Sequence, residues 1–225
     1  MISGWARGVK RSIGPEGEIV TRGPAYRLET ERLVLRCFEP ADAFALDHAI
    51  AISVDHLKPW LEFAHHEPKP ASDRVKLLRL FRADFDADRD YRYGVFTPDE
   101  SELLGVAGSH TRQGPGVREI GYWVRADRVR RGVATEASAV LTKAAFEVDD
   151  VGRVEIRCDV GNMASSGIPK KLGFSYEGIL RQQNPFLDAR RDVEVWSLVR
   201  SEYQDNRIQD LPIAAYGATG NVLIE

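Results

Sequence analysis

The segment GYWVRADRVRRGVATEA, residues 121–137, passes from a strand pattern through an arginine-rich turn into the start of a helix. The first turn of a helix exposes unpaired N–H groups and carries a partial positive charge. Gly132 lets the backbone approach a ligand without a side chain in the way, and Arg130 and Arg131 add charge-assisted donors. Thr135 offers a hydroxyl one turn into the helix. These features predict an anion site, most naturally for phosphate. A solvated basic loop that begins a core helix is the alternative that they leave open.

The elements around this segment follow from hydrophobic periodicity. In VATEASAVLTKAAFEV, residues 133–148, apolar side chains recur with a period of about 3.6 residues, which predicts a helix. Three alternating segments separated by turns precede it and predict an antiparallel meander at residues 91–97, 103–112 and 117–124. RVEIRCDV, residues 153–160, predicts a further strand. A short helix is expected at 163–171, and FSYEGILRQ and RDVEVWSLVR predict a closing strand pair.

The amino-terminal half contains one predicted strand and three predicted helices. ERLVLRCF, residues 31–38, alternates as a half-buried strand does, and Pro40 stops it. Helices are expected from Ala41, over 55–63, and from a cap at Ser72 or Asp73 to the acidic run at 86–90. The resulting order, β-α-α-α-β-β-β-α-β-α-β-β, predicts a mixed α/β (α+β) fold with a sheet of about seven strands. We expect an extension over 1–27, one domain over 28–203 and an irregular tail over 204–225.

Composition limits the classes of function. The chain has 225 residues, a formal net charge of −3 and 43% hydrophobic residues, which predicts a single globular domain. No stretch approaches the roughly 18 apolar residues of a membrane span, and the start lacks the apolar region of a secretory signal. We therefore expect a cytoplasmic protein with no membrane partner. Near-neutral charge argues against nucleic acid as a partner. Cys37 and Cys158 are expected to be buried free thiols, and no metal site is indicated.

Two further segments support a family resemblance. GYWV…RRGVATEA resembles the pyrophosphate-binding motif of the GNAT superfamily of acetyl-CoA-dependent N-acyltransferases, most of all the branch of ribosomal-protein N-terminal acetyltransferases (RimJ/RimL-like). NMASSGIPKKLGF, residues 162–174, resembles the Asn-x-x-Ser…Lys-Leu-Gly-Phe segment of that branch. LETERLVLRCFEPADA, residues 28–43, resembles the opening strand and helix of the family. The resemblance covers residues 28–200 and implies a GNAT-like, mostly antiparallel sheet flanked by helices.

The resemblance also implies a site for acetyl-CoA as co-substrate, with no metal. Val124, at the end of its strand, would pair with the pantetheine arm of CoA, and Asn162 would contact the same arm. Backbone amides of the turn and the first helical residues would hold the pyrophosphate: Arg130, Arg131, Gly132, Val133, Ala134 and Thr135. The acceptor would be a primary amine, either a protein N-terminus or a small molecule. A homodimer is the expected assembly, because paired subunits are common among similar proteins.

Transfer of an acetyl group to an amine requires a base, carbonyl polarisation and a proton for the departing thiolate. Glu119 is the candidate base, because strand alternation places it on one face with Gly121 and Trp123. The alternative is an ordinary exposed strand glutamate. Ser165 matches the serine assigned as proton donor in this branch, and the alternative is a hydroxyl of a helix first turn. His110 is another possible base, although a lone strand histidine is more often structural.

The sequence departs from the family pattern in the phosphate turn and in the short helix. Val129 stands where Gln or Arg is usual, and Arg130 replaces a common glycine. Pro169 occupies the position at which many members have a catalytic tyrosine, and together with Gly167 it predicts a short or kinked helix. The acceptor cleft is expected between two groups of residues: Trp60, Phe63, His65 and His66 on one side, and Tyr176, Asn184 and Phe186 on the other.

Two other classes of function compete with an N-acetyltransferase. A non-catalytic acyl-CoA-binding regulatory module would keep the cofactor site and lose the chemistry through Pro169 and its neighbours. A nucleic-acid-binding domain would use the arginines of the turn, namely Arg125, Arg128, Arg130 and Arg131. The net charge of −3 counts against the second of these.

Overall fold

The computed structural model describes residues 11–13, 19–21 and 23–225. The first two segments are the antiparallel strands β1 (Arg11–Ile13) and β2 (Ile19–Thr21). The predicted extension over residues 1–27 therefore lies mostly outside the described residues, and that boundary stays a prediction. Ala25 is already buried in the core and Arg27 already lies in the main sheet.

Ten strands form the main sheet and six α-helices accompany it. The strands are β3 (Arg27–Glu29), β4 (Val34–Cys37), β5 (Tyr91–Phe96), β6 (Leu103–His110), β7 (Val117–Val124), β8 (Arg153–Asp159), β9 (Ser175–Phe186), β10 (Ala189–Val199), β11 (Ala214–Tyr216) and β12 (Val222–Ile224). The helices are α1 (Ala43–Ala51), α2 (Val54–Leu57), α3 (Ala71–Asp86), α4 (Val133–Glu147), α5 (Met163–Lys171) and α6 (Arg200–Tyr203). No helix in the described part of the chain is long and apolar enough to cross a membrane.

The spatial order of the sheet is β12-β11-β3-β4-β5-β6-β7-β8-β10-β9. Its strand pairs are antiparallel except for β7 with β8, so the predicted mixed, mostly antiparallel fold is confirmed. The predicted number of about seven strands is too low, because β3, β11 and β12 have three residues each and show no periodic pattern. β11 pairs with β3 and β12 pairs with β11, so the prediction of an irregular tail over 204–225 is wrong.

The two faces of the sheet are covered by different helices. On one face lies α4, eleven of whose fifteen residues are buried, over a core that includes Ile120 and Ile156. On the other face, α1 and α3 pack over a second cluster that includes Phe38, Leu78 and Phe96. This second cluster ends at Trp123 on β7. Beyond it, the same face of β7, β8 and β10 carries charged and polar side chains such as Glu119.

The parallel strands β7 and β8 are paired over only half of their length. Their ladder joins residues 117–120 to residues 153–156 and stops at Ile120 and Ile156. β7 continues to Val124, paired with β6 on one side only. This leaves one edge of residues 121–124 without a strand partner in the described sheet. The gap opens toward the start of α4, because β7 leads into the turn that precedes this helix.

Several helix boundaries differ from the predicted ones for local reasons. The helix expected over 55–63 is two short pieces, α2 and a 3-10 turn at Glu62–His66. α3 begins after Pro70 with no side-chain cap, so neither Ser72 nor Asp73 caps it. α4 and α5 lie where the periodicity predicts them. α5 runs without interruption over nine residues with Pro169 inside it.

Candidate active site

The turn before α4 presents backbone N–H groups outward. Gly132 has φ of +83° and Arg130 has φ of +61°, both in the left-handed region, which reverses the chain tightly before the helix. No side chain caps the helix, and its first internal bond runs from the N–H of Glu136 to the carbonyl of Gly132, at 2.9 Å. The N–H groups of Val133, Ala134 and Thr135 therefore remain available to an anion.

A residue remote in sequence holds this turn. Arg32 Nη2 donates to the carbonyl of Arg131 at 2.7 Å, and Nη1 lies 3.1 Å from Glu136 Oε2. Thr30 Oγ1 donates to the other oxygen of Glu136 at 2.7 Å. Arg32 thus ties the turn to the first turn of α4. Sequence reasoning did not identify Arg32 or Thr30, because these contacts span about a hundred residues and leave no local pattern.

The four arginines of the turn fall into two pairs. Arg125 donates to Asp127 at 2.8 and 2.9 Å, and Arg128 donates to Glu102 at 2.7 Å. Arg130 and Arg131 are exposed, and within residues 23–225 their side chains have no ion-pair partner. Two free guanidinium groups beside an uncapped helix start suit a pyrophosphate. The neutralisation of the other two removes half of the basic patch that a nucleic-acid interface would need.

The gap between β7 and β8 suits an extended ligand arm. Val124 is the last residue of the unpaired edge of β7, so this edge can accept hydrogen bonds from, and donate them to, an extended amide chain. Asn162 lies across the gap at the start of α5, where its Oδ1 accepts from the N–H of Ser165 at 3.1 Å. Its amide nitrogen has no hydrogen-bond partner in the described structure. The predicted positions of Val124 and Asn162 thus flank one opening.

Ser165 is brought together with a tyrosine that the sequence analysis did not single out. The Tyr122 hydroxyl lies 3.2 Å from Ser165 Oγ and 3.2 Å from the carbonyl oxygen of Ser165. Burial raises the pKa of Tyr122 above its usual 10, and the hydrogen bond with Ser165 opposes this only in part. The phenol therefore stays protonated at neutral and mildly alkaline pH. Two hydroxyl groups meet beside the gap.

Pro169 leaves the carbonyl of Ser165 without its usual helical donor. In a helix the N–H of residue 169 would bond to the carbonyl of residue 165, but proline has no N–H. The carbonyl of Ser165 instead accepts from the Tyr122 hydroxyl. Pro169 stands where many family members have a tyrosine. It leaves the carbonyl of Ser165 free to accept a hydrogen bond from a different tyrosine, Tyr122.

Cys158 lies close to this pair but is a poor nucleophile. Both cysteines are free and buried, as predicted. Burial, together with the charge and hydrogen bond of Glu194, an acceptor at 3.8 Å, raises the pKa of the Cys158 thiol to about 12. The thiolate is the reactive form of cysteine. Cys158 therefore does not suit an acyl-enzyme step.

Glu119 is buried and fully engaged. Arg112 binds both of its carboxylate oxygens, with Nε at 3.0 Å from Oε2, and Gln113 donates to it at 2.5 Å. Burial alone would raise the pKa of Glu119, but the hydrogen bonds and charge of Arg112 outweigh it and hold the pKa below its usual 4.5. The reading as an exposed strand glutamate is wrong, since the residue is 5% exposed. Its role as a base stays a prediction.

The predicted acceptor side is partly assembled. Phe63 packs against Trp123 with ring centroids 6.3 Å apart, and His65 contacts Phe186 edge-on at 5.8 Å. Arg191 lies over the Phe186 ring, 3.4 Å from its centroid, and donates to the carbonyl of residue 59 at 2.6 Å. These contacts join the loop after α2 to the β9–β10 hairpin across the open face of the sheet. Tyr176 is not part of this group, because it packs on Trp196 toward the α4 side.

A half-separated parallel strand pair, an uncapped helix start with two free arginines and an adjacent hydroxyl pair suit an acyltransferase that uses an acyl-CoA. No group of three or more His, Cys, Asp or Glu within the described residues could hold a metal ion.

The chain belongs to the GNAT acetyltransferase family, since residues 32–175 match the acetyltransferase (GNAT) domain. It is 31% identical over 162 residues to a ribosomal-protein-serine acetyltransferase of Escherichia coli (66% of this chain, 90% of the relative). It is 28% identical over 160 residues to the [ribosomal protein uS5]-alanine N-acetyltransferase of the same species (69% and 81%). A microcin C7 self-immunity acetyltransferase solved with acetyl-CoA and AMP shares the fold, with a TM-score of 0.70 and 19% identity (76% and 93%). The chain is therefore an acetyl-CoA-dependent N-acetyltransferase, and the comparisons do not support a non-catalytic module.

Proposed function

We propose that this enzyme acetylates the α-amino group of a peptide or protein in the cytoplasm. The observation that carries the proposal is the group of aromatic contacts on the polar face of β7, β8 and β10, between the loop after α2 and the β9–β10 hairpin. Aromatic side chains, namely Phe63, Trp123 and Phe186, line it and suit the apolar part of a peptide end. The two Escherichia coli relatives, which are acetyltransferases of ribosomal proteins, support the same acceptor class, and ribosomal proteins as acceptors suggest the cytoplasm.

The residues of the turn and those of the gap would bind different parts of acetyl-CoA. The N–H groups of residues 133–135, with Arg130 and Arg131, would hold the pyrophosphate, and Gly132 would keep that surface free of a side chain. The unpaired edge ending at Val124 and the amide of Asn162 would align the pantetheine arm. This places the thioester near the point where β7 and β8 separate.

The acceptor class is tested by comparing peptides with small amines. Purified enzyme is incubated with acetyl-CoA and either N-terminal Ser or Ala peptides, the same peptides with a blocked α-amine, or a polyamine. We expect turnover only with the free α-amine, because the open face suits an extended chain. Turnover confined to the polyamine would overturn the acceptor assignment. Calorimetric titration with acetyl-CoA, CoA and ATP serves as the control for an intact cofactor site.

Ser165 and Tyr122 are proposed to protonate the departing thiolate. General acid catalysis typically contributes about 10²- to 10⁴-fold to a rate. Because two hydroxyl groups meet at the same place, we expect Ser165→Ala and Tyr122→Phe each to lower kcat about 10-fold, and the double variant to lower it at least about 100-fold. Affinity for CoA should change little, which calorimetry checks.

The matched control for this prediction is Tyr91→Phe, which removes a hydroxyl that contacts only Asp88, away from the gap, at 3.3 Å. It should keep the kcat of the unaltered enzyme. Full kcat in the double variant would show that the thiolate obtains its proton elsewhere.

A homodimer is proposed in addition. β9 is the edge strand of the main sheet and exposes Tyr176, Ile179 and Leu180, each 40–50% accessible. Exposed apolar side chains along a sheet edge favour pairing with another chain. Sedimentation analysis distinguishes a dimer from a monomer of 25.2 kDa.

A further inference from the structure

His110 and Asp90 form a pair beside the gap that the assigned roles do not use. Nδ1 of His110 lies 2.8 Å from Asp90 Oδ1, and the two side chains are 13% and 18% exposed. Burial would raise the pKa of Asp90, but the hydrogen bond and charge of His110, with the charge of Arg92, hold the pKa below its usual value. Because Asp90 is ionised, Nδ1 carries the proton and donates it. Nε2 is then the ring nitrogen with a free lone pair.

Two glycines in neighbouring strands leave space for the imidazole ring of His110. His110 leans back along β6 over Gly108 and across to Gly121 on β7. A methyl carbon at Gly108 would lie 2.6 Å from Nε2, and one at Gly121 would lie 3.1 Å from it. Both distances are shorter than ordinary contacts, so side chains at these two positions would displace the ring. The two glycines therefore fix where Nε2 can be.

Nε2 lies at the point where β7 and β8 separate. Gly121 is the first residue of β7 beyond Ile120, the last residue that pairs with β8. Trp123, two residues further along the same face, belongs to the aromatic group on the acceptor side. Within residues 23–225, no polar group binds Nε2. Nε2 therefore lies, without a hydrogen-bond partner in the described structure, where the acceptor amine would meet the thioester if the gap holds the pantetheine arm.

We propose that His110 is the general base of the transfer and that Asp90 is its positioning residue. The inference rests on the proposed function. Nε2 takes one proton from the acceptor ammonium and later passes it to solvent. The neutral nitrogen attacks the thioester carbon, so a C–N bond forms and the C–S bond breaks. The attacking nitrogen then loses its second proton to solvent, and the sulfur leaves with a proton from the Ser165 and Tyr122 hydroxyls, which take one back from solvent. The products are an amide and free CoA.

Glu119 is less suited to this step than His110. Arg112 covers both of its oxygens and lowers its pKa, so a proton transferred to Glu119 would have to displace an ion pair. The charged groups that face His110 are Asp90 and Arg92 from β5 and the turn before it, Arg112 from the end of β6, and Glu119 from β7. Glu119 and Arg112 neutralise each other, which leaves Asp90 as the carboxylate in contact with the imidazole.

The test compares four variants by pH–rate profile on an α-amine peptide. We expect His110→Gln to lower kcat/KM at least about 100-fold and to abolish the acid limb of the profile. Asp90→Asn should lower kcat about 10-fold and leave KM unchanged, because the Nδ1–H of His110 loses the carboxylate that orients the ring. Glu119→Gln should lower kcat/KM less than about 10-fold and leave the limb in place. His48→Gln, at an exposed position on α1, is the matched control and should change nothing.

CoA affinity separates the failure of this inference from the failure of the proposed function. All four variants should bind acetyl-CoA as the unaltered enzyme does. An unchanged profile in His110→Gln, or loss of the acid limb in Glu119→Gln instead, would overturn the role of His110. Absence of α-amine turnover in the unaltered enzyme would overturn the proposed acceptor.

Discussion

Replacing Gly132 with valine is expected to weaken acetyl-CoA binding at least about 100-fold, the loss of two charge-assisted hydrogen bonds at about 1.5–3 kcal/mol each. Gly132 has φ of +83°, where any L residue is strained and a β-branched one most of all. The turn would have to change its path, and the N–H groups of residues 133–135 would no longer converge.

Calorimetric titration with acetyl-CoA measures this effect, and Gly220→Val is the matched control. Gly220 has φ of +78° and open space around it, but it lies in the turn between β11 and β12, far from the gap. The two variants carry similar backbone strain, so a loss of affinity confined to Gly132→Val reports on the site. Equal affinity in both variants would move the pyrophosphate site elsewhere.

Replacing Arg74 with alanine should destabilise the fold by about 3–5 kcal/mol, the usual effect of removing one partner of a buried ion pair. Arg74 and Glu67 are 3% and 2% exposed in their side chains, and Arg74 also donates to Asp47 at 3.1 Å. Glu67 Oε1 has no hydrogen-bond partner even in the intact pair. Without Arg74, the carboxylate would stay buried with no compensating charge.

Thermal and urea unfolding measure this change in the free energy of unfolding. Lys76→Ala is the control on the same helix, because Lys76 is 72% exposed and its ion pair with Asp73 should contribute less than about 1 kcal/mol. Replacing Arg74 and Glu67 together with Met and Leu should recover part of the loss. A loss below about 1 kcal/mol in Arg74→Ala would mean that water reaches Glu67. The pair anchors the loop that carries Phe63 and His65, so acceptor KM should rise as well.

Much of the fold follows from local pattern, and the exceptions have physical causes. α4 and the meander are long, periodic elements, so their positions were predictable. β3 pairs with β11 across nearly two hundred residues, and no window of the sequence contains that information; β12 then pairs with β11. α2 and the following 3-10 turn are too short for periodicity to define.

Some residues of the candidate site could be predicted from local motifs, and others could not. The phosphate turn, Asn162 and Ser165 stand in contiguous motifs and could be predicted. Other contributions come from contacts between strands or loops that are distant in sequence, namely those of Tyr122, Asp90 and Arg32. Only the register of the sheet places these residues at the site. His110 was visible as a histidine on a strand, but its orientation depends also on Gly121 and Asp90, which are distant from it in sequence.

The bond from Tyr122 to the carbonyl of Ser165 links two positions that must change together. If position 169 regained a residue with an N–H, that group would compete for the carbonyl, and the phenol would keep only the serine hydroxyl. If position 122 lost its hydroxyl first, the carbonyl would have no donor while proline remained. In either order of substitution, the intermediate variant has a polar group at this site with fewer hydrogen-bond partners. Positions 122 and 169 are therefore expected to co-vary among relatives, and engineering of this acid site should exchange them as a pair.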